Sequence, residues 1–198
     1  CQGSPCLFKP CINGTGSNFG GGHHITRDDY DIEKLCALII NFKTKYNVDI
    51  ILEPGEAVVL NAGVLTASVL DIVQNEKQIA ILDTSAAAHM PDVLEMPYMP
   101  EIIGAIAQTL STEKPNSFLY NYILAGNTCM SGDVIGEYSF ESPLTIGRKL
   151  IFTDMALYTM VKTNTFNGIN LPDIYLLDKS KELKRVRQFG YQDFKGRL

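Results

Sequence analysis

VDIILEPGE, residues 48–56, is the stretch on which the reading of the fold turns. Its first five residues are a short, nearly continuous apolar run of the kind buried inside a parallel sheet or barrel. The run ends directly on Glu53, Pro54 and Gly55, so a strand passes at once into a loop. In β/α folds the chemistry gathers at the carboxyl ends of the strands, which makes Glu53 a candidate site residue rather than a plain surface acid.

Working back from this strand, the periodic positions Ile32, Leu35, Cys36, Ile39 and Ile40 share one face of a helix. Thr26 is expected to start that helix, with Asp29 three residues on, and Asn47 to end it. Cys36 lies on the apolar face and is read as core. Ahead of the helix stands FGGGHH, residues 19–24. Successive glycines let backbone N–H groups approach a ligand such as a phosphate closely, although the spacing fits neither a dinucleotide loop nor a P-loop, and a structural loop is equally compatible. Neighbouring His23 and His24 would face opposite ways on a strand, which argues against a metal pair. Loop, helix, loop, strand is the β/α rhythm, with the glycine loop and Glu53 at the same end.

Beyond Ala57 the texture changes. Residues 57–73 and 78–82 are rich in β-branched side chains, with a turn at 75–77. Residues 83–99 read as a loop and short helix, 111–116 as a polar turn, and 118–124, 144–152 and 156–161 as further strands. The basic run at 179–187 reads as a solvated helical or extended tail. The fold class is therefore α/β plus β: closing β/α units of a barrel over 19–57, then a mostly β domain over 58–198. Residues 1–18, with Cys1, Cys6 and Cys11 spaced by five among Gly, Pro, Asn and Ser, form an atypical leader expected to be disordered.

Within the β-rich part, GNTCMSGDVIGEYSF, residues 126–140, sets Cys129 among turn formers and four residues ahead of Asp133. A thiol on such a loop can act as proton donor or nucleophile, and it can equally be a half-buried structural cysteine. The chain of 198 residues carries a net charge of −5, which argues against nucleic acid or an anionic membrane as partner. No apolar run reaches the ~18 residues of a membrane helix. Five cysteines without CxxC pairs point to a reducing cytoplasm and to no metal site.

GGGH, EPGEA, DTSAAAHMPDVLE, TCMSGD, DMALYT and TFNGI, in this order, resemble the C-terminal part of the fold-type III pyridoxal-phosphate (PLP) decarboxylases. That family holds the ornithine, diaminopimelate and carboxynorspermidine decarboxylases, and the likeness is greatest to the last branch. The resemblance implies the end of an alanine-racemase-like barrel, PLP as cofactor, and a homodimer with shared active sites. It implies that Glu53 faces the ring nitrogen and that Gly21 and Gly22 cradle the phosphate. Gly55 would adjoin the cofactor, and the Tyr158 hydroxyl would reach the phosphate. Cys129 would cross a dimer interface to protonate the α-carbon, while Glu95 and Asp133 would meet the distal amine of a polyamine precursor. His89 and Asp92 are further candidates for the cleft, Asp92 equally for a helix start.

Two departures favour the carboxynorspermidine branch: Glu56 stands where many relatives have arginine, and Met130 where ornithine-type enzymes have an acid. No lysine here matches the one that bonds the cofactor, so this chain is expected to be a C-terminal portion, inactive alone. The alternatives are a diaminopimelate or basic amino acid decarboxylase, or a non-catalytic interaction fragment of the same fold.

Overall fold

Strand β1 (Gly16–Asn18) lies parallel to β2 (Asp49–Ile51), and helix α1 (Ile32–Tyr46) supplies the crossover between them. The computed structural model describes residues 16–108 and 116–198, which fall into two compact units, Cys1–Leu60 and Asn61–Leu198. Cys1, Cys6 and Cys11, and most of the polar turn at 111–116, lie outside the described residues. Residues 16–18, expected in a disordered leader, are the partner of β2: three residues are too few to show a period, and the pairing partner lies more than thirty residues on.

Helix α1 begins six residues later than Thr26. Asp31 caps it, its Oδ1 accepting from Lys34 N at 2.9 Å, because Asp31 directly precedes the first periodic residue. Thr26 instead donates its hydroxyl to Ala57 O at 2.7 Å, tying the glycine-loop segment to the turn α2 (Gly55–Val59). Lys43 and Lys45 occupy the negative end of α1, and Asn47 closes it in the left-handed conformation, as expected. Cys36 is exposed, and no residue of α1 is buried. The apolar stripe is only partly covered: Leu35, Ile39 and Phe42 are half-buried, with Phe42 packed edge-on to Phe19, while Ile32, Cys36 and Ile40 are exposed.

The second unit is built on one six-stranded sheet. Its strands are β3 (Leu65–Asn75), β4 (Lys77–Leu82), β5 (Ala105–Ala107), β6 (Tyr120–Ala125), β7 (Val134–Phe140) and β8 (Lys149–Phe152), in the order β5-β7-β6-β4-β3-β8. Every pairing is antiparallel except β4 with β6. A bulge between Val69 and Asp71 lets β3 leave β4 and pair its first residues with β8. A bridge from Ile102 to Phe152 brings the segment just before β5 against β8, so the sheet curls. The inward positions alternate as a pleat requires: Ala80 and Leu82, Tyr122 and Leu124, Leu150 and Phe152 are all buried.

Two short helical turns, α3 (Ala86–His89) and α4 (Asp92–Glu95), follow β4. Residues 156–161 are not a strand: α5 (Tyr158–Val161) is a helical turn, entered after Asp154, which sits at φ 54° and accepts from Asn61 N at 2.9 Å. Strands β9 (Ile174–Leu177) and β10 (Leu183–Arg187) make a separate exposed hairpin, followed by α6 (Tyr191–Lys195). The basic run is solvated, as its charge predicts, and of the helical and extended forms it takes the extended one in β10.

Candidate functional site

In the first unit the glycine loop and the end of β2 are joined by backbone: Glu53 N donates to Gly20 O at 2.8 Å. Gly20 and Gly22 sit at φ 73° and 79°, a region open to glycine, and a Cβ on Gly21 would stand 3.1 Å from Glu53 O. The N–H groups of Gly21, Gly22 and His23 have no acceptor among the described residues. They form a row of free donors of the kind an anionic group occupies. The Glu53 side chain is exposed beside this row, and its Oε1 accepts from Asn18 Nδ2 at 2.6 Å. Asn18 also receives Gly20 N on its Oδ1 at 2.7 Å, so one amide fixes both carboxylate and loop. A phosphate-bearing cationic ring fits this donor row and carboxylate. The Gly55 N–H, by contrast, donates to Glu53 O at 2.8 Å and is not among these free donors. Glu56 lies 3.2 Å from His24 Nδ1 and 3.7 Å from the Arg27 guanidinium.

In the second unit the loop between β6 and β7 presents Cys129 to solvent. Its base is a knot around Asp133, which is 3% exposed. Asp133 Oδ2 accepts from Ser85 Oγ at 2.8 Å and Thr128 Oγ1 at 2.6 Å, and Oδ1 from Ala87 N at 3.2 Å. The knot pins the cysteine loop to the start of α3, whose cap is Ser85. Asp133 was expected to meet a substrate amine. Its oxygens are filled by Ser85, Thr128 and Ala87 and shut from solvent, which ties the cysteine loop to the start of α3.

Asn167, in the 3-10 turn Phe166–Gly168, donates from Nδ2 to Cys129 Sγ at 2.9 Å. Nothing in sequence spacing pairs positions 129 and 167; TFNGI marked the segment without assigning the contact.

His89 is buried and does not line a cleft. Its Nε2 bonds Asn170 O at 3.0 Å, and its Nδ1 faces the Thr84 hydroxyl at 3.0 Å and Ser85 N at 3.3 Å. This pattern suits the neutral imidazole with the proton on Nε2, and burial holds the ring below its ordinary pKa of 6.5, against the opposing pull of the Asn170 carbonyl. Asp92 is also buried, accepting from the Tyr98 hydroxyl at 2.6 Å, and Oδ1 has no partner among the described residues. Burial and that bond keep the Tyr98 phenol protonated well above its usual range.

Glu95 is exposed and ion-paired with Lys162, which lies 5.6 Å from the centre of the Tyr158 ring. The bond to Glu95 raises the Lys162 pKa. Tyr158 itself is half exposed on α5. The structure thus brings Gly21, Gly22 and Glu53 together in the first unit. In the second it brings Cys129 to Asp133, and Glu95 to Tyr158 through Lys162.

Comparison with known proteins supplies the family. Residues 24–156 match the family described as the pyridoxal-dependent decarboxylase, C-terminal sheet domain. The carboxynorspermidine/carboxyspermidine decarboxylase of Campylobacter jejuni is 55% identical over 181 residues, 89% of this chain and 47% of that protein. The carboxyaminopropylagmatine decarboxylase of Synechocystis is 44% identical over 91% of this chain and 46% of its own length. A crystal structure of carboxynorspermidine decarboxylase complexed with norspermidine, from Campylobacter jejuni, superposes with a TM-score of 0.81 at 52% identity, covering 93% of this chain and 51% of that one. The chain spans about half the length of the curated relatives it matches. It belongs to the pyridoxal-dependent decarboxylases, and the curled six-stranded sheet of its second unit falls within the stretch that matches their C-terminal sheet domain.

Proposed function

We propose that the protein carrying this chain is a PLP-dependent carboxy-lyase that converts carboxynorspermidine or carboxyspermidine to norspermidine or spermidine in polyamine biosynthesis. The observation that carries this reading is the identity to the Campylobacter enzyme over a share of the chain too large to omit either the Glu53 loop or the Cys129 loop. The geometry of both loops supports it.

PLP, when bound, takes up the electron pair left on the α-carbon as CO₂ departs. Glu53 holds a proton on the ring nitrogen by opposite charge, each pKa unit being worth about 1.4 kcal/mol. The free N–H groups of Gly21, Gly22 and His23 take the phosphate. Cys129 gives its proton to the α-carbon from the tip of its loop, with Asp133 fixing the loop from below. Glu95 offers its carboxylate to the ammonium of the polyamine chain, exchanging it for the Lys162 ammonium. Such a site suits a cytoplasmic homodimer in which each Cys129 serves the partner's cofactor; its exposure leaves it free to do so.

The test is turnover by the purified full-length gene product with PLP. Carboxynorspermidine is expected to be preferred over diaminopimelate and ornithine by at least ten-fold in kcat/KM. A preference for either amino acid would overturn the substrate assignment.

A further inference from the structure

Among the described residues, the Asn167 amide is the only group that donates to the Cys129 sulfur. Asn167 sits at φ 57°, ψ 19°, a left-handed turn that throws its side chain out of the short helix Phe166–Gly168 towards the neighbouring loop. The turn is itself fastened to α3: Asn164 N donates to Ala88 O at 2.9 Å, and Asn164 Nδ2 to Ala87 O, also at 2.9 Å. The same helical turn receives the Asp133 knot through Ala87 N and Ser85. Both loops that meet at the sulfur therefore hang from residues 85–88. That is a rigid frame around a group that must deliver a proton to one carbon.

The geometry points to Asn167 as a positioning residue for the Cys129 thiol. This rests on the reading of Cys129 as proton donor. An N–H aimed at sulfur occupies one lone pair, so the S–H bond turns away from Asn167 and outward from the loop. After the proton has left, the same N–H stabilises the sulfur anion. Without it the thiol is free to rotate, and after CO₂ loss the proton can be added to the cofactor's own carbon instead of the substrate α-carbon. Hydrolysis of that product releases an aldehyde and leaves the cofactor as its amine, so the electron pair, the proton and the nitrogen are all accounted for.

Two variants test this in the full-length protein. Asn167→Gly keeps the left-handed turn at no steric cost and removes the amide; Asn167→Asp keeps the shape and turns the donor into an acceptor. With PLP, both are expected to release CO₂ within about three-fold of the parent, while the fraction of turnovers ending in aldehyde and aminated cofactor rises about ten-fold or more. In the PLP-free protein, iodoacetamide labelling of Cys129, measured by peptide mass spectrometry against exposed Cys36 in the same chain, is expected to slow in the order parent, Gly, Asp. A merely structural role predicts faster labelling as the loop loosens. Correct protonation in both variants, or labelling that quickens, overturns the assignment. Absence of CO₂ release by the parent protein would instead overturn the decarboxylase reading.

Discussion

Asp133 fills the space that a side chain on Gly126 would need. A Cβ built at position 126 would stand 2.5 Å from the Asp133 Cγ and 2.6 Å from Oδ1, while Gly126 N donates to Asp133 O at 2.8 Å. The two residues close the cysteine loop across its neck. Gly126→Ala should therefore push the buried carboxylate off its donors and cost roughly 1–3 kcal/mol. Urea unfolding checks this, and a variant as stable as the parent would show that the neck can give way freely.

His89 makes a prediction about pH. Its folded pKa lies below 6.5 because burial disfavours the charged ring. Below that value the unfolded chain binds a proton that the folded chain refuses, so stability falls as pH drops from 6.5 towards the folded pKa. His89→Gln, which can still donate to Asn170 O, should lose stability less steeply between pH 6.5 and 5. The difference is bounded at about 1.4 kcal/mol per pH unit for one group. Denaturant midpoints at pH 5 and 7.5 measure it, and equal slopes in parent and variant would contradict the buried neutral ring.

Glu53→Gln keeps the Asn18 contact through an amide oxygen and removes the charge. In the full-length protein the rate of CO₂ release should fall by about 10²-fold or more, the equivalent of about two pKa units of lost stabilisation at the ring nitrogen. The N–H groups of Gly21, Gly22 and His23, proposed to take the phosphate, are untouched by this change. Parallel titration of PLP binding separates loss of cofactor from loss of chemistry.

Much of this was legible in the residues. The short strand just ahead of Glu53, the turn at Glu76 between β3 and β4, and the solvation of the basic run all follow local rules. Other features depend on partners far along the chain. Cys36 carries the pattern of a core residue, yet periodicity records only which face is apolar, not what covers it. Residues 134–140 read as part of a turn-rich loop because Gly136 and Ser139 dilute the alternation; pairing with β5 and β6 makes them a strand. Asp133 looked like a surface acid free to meet an amine, and only the approach of residues 85–87 shows it as the loop's anchor. Asn167 lay in a motif with no assigned partner, since its contact with Cys129 spans 38 residues.

The most direct test of the account is the product made by the full-length Cys129→Ala protein from carboxynorspermidine in the presence of PLP. The account predicts that CO₂ is still released while norspermidine gives way to the corresponding aldehyde, with the cofactor converted to its amine. Norspermidine formed at the parent rate and yield would mean that the proton comes from elsewhere, and the role given to the exposed thiol would fall.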